Sequence, residues 1–212
     1  MKSFDELVHG YGRFREGAWR NQHDRWEQLK VGQAPQVMVI ACSDSRVDPA
    51  QIFDVDPGEI FVVRNVAALV PPFETTPGRH GVSAALEFAV QFLNVREVVV
   101  MGHGMCGGCQ AALTQDLHGN EPGKGGFVAH WIDMLDDVRE PIARDLGTSG
   151  REAERAMELA AVKVSLANLR SFPCVREKEA DGTLALRGAY FAISDGVLHL
   201  LDESTGDFSP AP

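Results

Sequence analysis

Short apolar runs alternate along this chain with longer stretches of helical spacing. Residues 36–42 contain Val37-Met38-Val39-Ile40-Ala41, a continuous run that closes on Cys42. A run without polar alternation reads as a strand buried on both faces, as in a parallel sheet. Asp56-Pro57-Gly58 is a turn signal, and it leads into a second strand over 59–64. Residues 97–101, with Val98-Val99-Val100-Met101, predict a third. Between these runs the period lengthens. Val82, Ala85, Leu86, Ala89 and Val90 share one face of a helix over 81–93. Phe4, Leu7, Val8, Tyr11 and Phe14 recur at helical spacing within 3–31, where Gly10, Gly12 and Gly17 divide the stretch into two pieces.

The remaining boundaries come from turn and cap residues. Pro71-Pro72 stops regular structure. The glycines after Cys106 permit a tight turn before a helix over 109–116. Residues 119–126 form a loop with four glycines and one proline. Ser149 with Glu152 resembles a capping box, opening a long helix to 169 that Pro173 ends. Residues 184–202 alternate as a hairpin around Asp195-Gly196. Strands interleaved with helices predict an α/β fold: α/β/α layers around a central, mainly parallel β-sheet, with an N-terminal helical arm and a C-terminal helix plus hairpin. The 212 residues suit one domain, 1–212. Its arm, residues 1–31, is placed to pack on a partner subunit.

Composition narrows the function classes. With 44% hydrophobic and 24% charged residues, the chain reads as an ordinary globular protein. Its net charge of −10, from 20 basic and 30 acidic residues, argues against nucleic acid as a partner. No apolar run approaches the roughly 20 residues that span a bilayer. The acidic N-terminus lacks the apolar core of a signal peptide, so the expected compartment is the cytoplasm. Four cysteines are too few for a disulfide scaffold of this length.

The cysteines instead mark a candidate metal site. Cys42 opens Cys42-Ser43-Asp44-Ser45-Arg46 at the end of the first strand. His103 and Cys106 lie in Gly102-His103-Gly104-Met105-Cys106-Gly107-Gly108, after the third. In α/β folds, ligands gather beyond the carboxyl ends of strands. Two thiolates and an imidazole suit zinc. Three protein ligands leave a fourth position open, which is the catalytic arrangement. The ordinary fate of a free cysteine is burial as a small hydrophobe. We read Cys109 and Cys174 that way, and Cys42 and Cys106 as ligands because of their strand-end and His-x-x-Cys settings. For Asp44 and Arg46 the rival reading is an exposed ion pair, worth little; their spacing from Cys42 favours a role beside the metal.

Together the Cys42–Arg46 run, the segment Pro57-Gly58-Glu59-Ile60-Phe61-Val62-Val63-Arg64-Asn65-Val66-Ala67, and the His103–Gly108 segment resemble a β-class carbonic anhydrase. The likeness is dense over 33–109 and looser beyond. It implies zinc-dependent, reversible hydration of carbon dioxide to bicarbonate and a proton by hydroxide on zinc. It also implies a homodimer or an assembly of dimers. Cys42, His103 and Cys106 match the ligands of one Zn2+ per subunit, and Asp44 and Arg46 the catalytic dyad. Gln33 matches a glutamine that binds substrate across the dimer interface. Phe61 and Val66 match apolar pocket positions, and Gly107 a backbone contact. Phe88 stands in the pocket wall where relatives often have Tyr, and Ala68 where they often have Asn. In members with a second bicarbonate pocket, the pocket is a Trp, Arg and Tyr constellation. Here those positions are Val39, Arg64 and Phe191, so an open site is expected, with Asp44 paired to Arg46.

In this reading Asp44 accepts the hydroxide's proton and turns its lone pair toward substrate. Arg46 keeps Asp44 ionised. His80 is the one histidine with any argument as a proton shuttle, since it precedes the helix facing the pocket. His9, His23, His118, His130 and His199 have none. Three other functions fit less well. Hydrolysis of carbonyl sulfide or carbon disulfide would use the same site. A non-catalytic zinc-binding assembly protein would not need Asp44 and Arg46. A structural zinc module for nucleic acid conflicts with the acidic balance.

Overall fold

The computed structural model describes residues 2–116 and 121–212. Gly119 and Asn120, part of the expected loop, and His118 lie outside the described residues. The chain forms two compact units, 1–34 and 35–212.

The first unit is helical, in three pieces rather than two: α1 (Phe4–Glu16), α2 (Ala18–Asn21) and α3 (His23–Leu29). Gly10 and Gly12 lie within α1 without interrupting it; the breaks fall at Gly17 and Gln22. A capping box is present, but at Ser3 and Glu6, where each side chain accepts the other's backbone N–H.

The second unit carries the sheet. In chain order it contains β1 (Val37–Cys42), α4 (Pro49–Ile52), β2 (Ile60–Asn65), α5 (Gly81–Glu87), β3 (Glu97–His103) and α6 (Gly107–Thr114). There follow α7 (Gly126–Ile132), α8 (Asp136–Leu146), α9 (Arg151–Leu169), α10 (Pro173–Ala180), β4 (Ala185–Ala192), β5 (Val197–Asp202) and β6 (Asp207–Pro210). The strand order is β2-β1-β3-β4-β5-β6. The first four strands are mutually parallel, and β5 and β6 return antiparallel. The mainly parallel α/β sheet is as the apolar runs predict, with the hairpin extended by a third strand.

Pleating sorts the side chains. Met38 and Ile40 of β1 and Val98 and Val100 of β3 meet Val162, Leu166 and Leu169 of α9, with Leu86 and Val175. Each such fully buried side chain contributes roughly 1.5–3 kcal/mol. Val39 and Ala41 face the other way, with Met101, Ala189 and the partly buried Ile52 and Phe53. Past the strand ends, a second cluster gathers Cys42, Cys106 and Cys109 with Leu69, Leu113, Leu135 and Met157.

Several boundaries differ from expectation. Ser149 does not cap α9; its N-cap is Gly150, with no side-chain cap. Pro173 opens a helix as well as following one, because proline fits the first helical position, where an N–H has no partner. Helix α6 begins at Gly107, so the two glycines form its first turn rather than a loop. A Cβ on Gly108 would sit 2.8 Å from Val66 Cγ1, which explains why glycine is needed there. The expected helix over 81–93 is continuous, but 88–93 widens into a π-type turn. Cys174 is only partly buried, while Cys109 is buried as expected.

Candidate metal centre

Three short elements end at one place. β1 delivers Cys42 at its last residue, β3 delivers His103 at its last, and Cys106 is the N-cap of α6. All three are buried, and their ligand atoms lie within 4.8 Å of one another. The Cys42 and Cys106 sulfurs are 3.9 Å apart. Two sulfurs on one tetrahedral zinc, each at about 2.3 Å, would stand about 3.8 Å apart.

His103 has the matching tautomer. Its Nδ1 is 2.9 Å from the Gly104 carbonyl, an acceptor, so Nδ1 carries the proton. That leaves the Nε2 lone pair free, and Nε2 is buried without a hydrogen-bond partner. Donation of the second ring N–H to a carbonyl is the usual arrangement around a metal-bound histidine. An orphaned buried nitrogen is costly unless a cation completes it. The donor set and its spacing fit zinc, held by Cys42, His103 and Cys106.

Without a cation these sulfurs hold their protons. A hydrogen bond with Cys106, then burial, pushes the Cys42 thiol up to about 12. A hydrogen bond with Cys109 leads the causes that push Cys106 up to about 12. Burial lowers His103, but the Cys42 sulfur and the Gly104 carbonyl outweigh it and the net shift is upward. Metal binding must therefore expel protons from this site.

Asp44 and Arg46 lie on the turn after β1. Arg46 Nε donates to Asp44 Oδ1 at 2.9 Å and Nη2 to Oδ2 at 2.7 Å, a bidentate pair. The Arg46 backbone N–H adds a third bond to Oδ1 at 3.0 Å. These contacts, Arg46's side chain foremost, hold the Asp44 carboxyl well below the usual carboxylate range. Arg46 Nη2 also donates to the Met105 carbonyl at 2.9 Å, tying this turn to the one between His103 and Cys106.

Arg64 holds the same turn from β2. It donates to the carbonyls of Cys42 at 2.9 Å and Asp44 at 2.6 Å, and to Asp48 Oδ2 at 3.2 Å. Its guanidinium is thus engaged with the backbone that carries the first ligand. Val39 is buried, in the sheet face opposite Met38, and Phe191 pairs with His103 in the β3–β4 register.

The expected pocket residues divide into groups. Val66 follows β2, its carbonyl accepting from Trp131 Nε1 at 2.9 Å. A Cβ on Gly107 would meet nothing within 4 Å, so open space lies over the first turn of α6. Ala67 and Ala68 are both left-handed, with φ of 61° and 55°, and Asn65 closes that turn through two 2.8 Å bonds to the Leu69 backbone. Phe61 sits lower on β2, beside Met38, whereas Cys42 pairs with Asn65. Four residues of strand are about 13 Å. Phe61 packs against the first core cluster and lies 5.9 Å from Phe88, ring to ring; Phe88 stacks on Phe92. Within one chain, then, these aromatics are apart from the metal ligands. Gln33 is exposed and belongs to the first unit. His80 Nε2 contacts the Thr76 carbonyl at 3.0 Å and lines a cavity of about 730 Å3 with Phe73, Glu87, Phe88 and Phe92.

Sequence reasoning missed Glu158. It is 2% exposed, and its Oε1 accepts the Cys106 backbone N–H at 3.2 Å. It falls on the apolar stripe of α9 with Ala161, Val162 and Ser165, and a carboxylate on such a stripe is the signal that could have found it. Trp131 carried no comparable signal.

Comparisons with known proteins agree with one another. A family model described as carbonic anhydrase matches residues 37–198. Beta carbonic anhydrase 3 of Arabidopsis thaliana is 33% identical over all of this chain and 81% of its own length. Beta carbonic anhydrase 5, chloroplastic, from the same plant, is also 33% identical, over 91% of this chain; the match spans 62% of that protein. The solved structure of the β-carbonic anhydrase CcaA superposes with a TM-score of 0.89 at 30% identity, covering 98% of both chains.

Proposed function

The chain belongs to the β-class carbonic anhydrases, and from that premise we propose how its own residues carry out the reversible hydration of carbon dioxide. The observation that carries the reading is the buried Cys42–His103–Cys106 triad beside an aspartate already gripped by an arginine. Zinc held by that triad supplies a Lewis acid that brings the pKa of water toward neutrality.

The protein's part is orientation and proton handling. Asp44 stays ionised through the working pH range because Arg46 occupies both its oxygens. It can therefore accept a hydrogen bond from the attacking oxygen and turn that oxygen's lone pair toward the substrate carbon. Arg46, fixed in turn by the Met105 carbonyl, keeps Asp44 from swinging onto the metal. Val66, whose side chain covers Gly108, and the open space over Gly107 suit a small, linear, uncharged substrate. His80 is the candidate for returning protons to solvent.

The working unit is proposed to be a homodimer or an assembly of dimers, with no nucleic-acid partner. Two features support this. Phe4, Leu7, Val8, Tyr11 and Phe14 are exposed on α1, which suits a clasp on a partner. Phe61 and Phe88, distant from their own chain's metal site, and Gln33 are available to complete a partner's pocket. No helix among the described residues is long and apolar enough to cross a membrane, and a cytoplasmic location is proposed. Arg64, committed to the Cys42 and Asp44 carbonyls, supports a site without bicarbonate control. Stopped-flow carbon dioxide hydration, with metal analysis and carbonyl sulfide turnover on the same sample, tests the function. Zinc-loaded protein without hydration activity would refute it.

A further inference from the structure

Both faces of one peptide group in the metal centre are tied down. The Met105 carbonyl accepts from Arg46 Nη2 at 2.9 Å, and the N–H of the same peptide, on Cys106, donates to Glu158 Oε1 at 3.2 Å. A trans peptide is a rigid plate whose C=O and N–H point in opposite directions. Fixing one end orients the other. Met105 is left-handed, with φ of 56°, a conformation that side-chain-bearing residues keep only when their surroundings hold it.

Glu158 is itself held. Its Oε2 accepts from the buried Tyr190 hydroxyl at 2.8 Å, and Arg151 Nη1 stands 3.6 Å from Oε1. The Arg155 guanidinium lies over the Tyr190 ring, 5.1 Å from its centroid. Among the described residues Glu158 is the one carboxylate in the buried set. Burying a carboxylate costs several kcal/mol unless it is paired and hydrogen-bonded. Close approach of α9 to β3 brings it within reach: a Cβ on Gly102 would lie 2.7 Å from Val162 Cγ2.

We propose that Glu158 is a positioning residue of the metal centre. It orients the Met105–Cys106 peptide, and through it both the Cys106 sulfur and the carbonyl that anchors Arg46. The inference rests on the metal-site reading above and adds a residue outside the ligands and the dyad.

Zinc release to a chelator and the thiolate-to-cobalt absorption band of the cobalt-substituted protein test it, neither depending on turnover. Glu158→Ala should release zinc about 10–100-fold faster than wild type, the usual effect of losing a residue that orients a ligand, and should shift or weaken the band. Glu158→Gln keeps an oxygen for the Cys106 N–H and an amide donor for the Tyr190 oxygen, so it should stay within about threefold of wild type. Tyr190→Phe, which frees one side of Glu158, should fall between them. A Glu158→Ala protein with wild-type zinc release and an unaltered band would overturn the proposal. If that variant does not fold, Tyr190→Phe decides: release as slow as wild type overturns it equally. A wild-type protein lacking the thiolate band would overturn the metal reading itself, a result distinct from variants that match a banded wild type.

Discussion

Cys42 and Cys106 hold their protons when no cation faces them, so each is a ligand only to a metal able to displace them. Serine cannot follow: its hydroxyl ionises far less readily than a thiol. Cys42→Ser should lose most of its zinc, measured by atomic absorption after gel filtration, and full occupancy would remove Cys42 from the ligand set. Asp44→Ala leaves all three ligands in place. It should keep zinc yet lose about a hundredfold or more in kcat/KM, the scale of a positioned proton acceptor. Arg46→Ala should also be impaired, since Asp44 is then free to move. Near-wild-type turnover of both at pH 8 would deny them their roles. The Cys42–His103–Cys106 cluster and the Asp44–Arg46 pair were legible in the sequence because they follow strand-forming runs at fixed offsets. Glu158 shows in the sequence only as a carboxylate on an apolar stripe; its meaning depends on Tyr190 and Cys106, which only the fold brings to it.

At the scale of elements, legibility followed the strength of the pattern. The central strands are continuous apolar runs and were found within a residue or two. Helix α8 offers little period, with only Val138 and Ile142 among its residues packing on the core, and it contains Pro141. Strand β6, Asp-Phe-Ser-Pro, has no alternation to find and owes its place to pairing with β5. Helix α6 shows the reverse case, where glycines that look like a turn make its first turn because Val66 leaves no room for a side chain. Its other end carries a prediction. Gln115 caps α6 in the left-handed region, with φ of 60° and its N–H bonded to the Ala111 carbonyl. Glycine adopts that conformation without a Cβ penalty. Gln115→Gly should raise stability by about 1 kcal/mol in urea unfolding with kcat/KM unchanged; a loss of stability would contradict the strain.

At the scale of the molecule, the sequence indicated the α/β class and set apart a helical arm over 1–31, beside a compact unit of 1–34; the arm's division into three helices was not legible, because glycines inside α1 mimic breaks. If the first unit clasps a partner, removing residues 1–34 should weaken association and activity together, read by sedimentation and stopped-flow at matched concentrations. A fully active monomer would contradict the dimer reading. One further consequence concerns stability. Cys42 and Cys106 lie 64 positions apart and meet at one point. A metal joining them is a cross-link: it ties a long stretch of chain into a closed circuit, as a disulfide would, without an oxidised bond. Such a closure removes freedom from the unfolded chain and is worth about 4 kcal/mol for a loop of this length. Stripping the zinc should therefore lower the unfolding temperature by roughly 8–16 °C in calorimetry, and restoring it should recover the loss. Identical melting with and without metal would show that the circuit is not closed. The ion that equips this protein for chemistry is thereby also a knot in its chain.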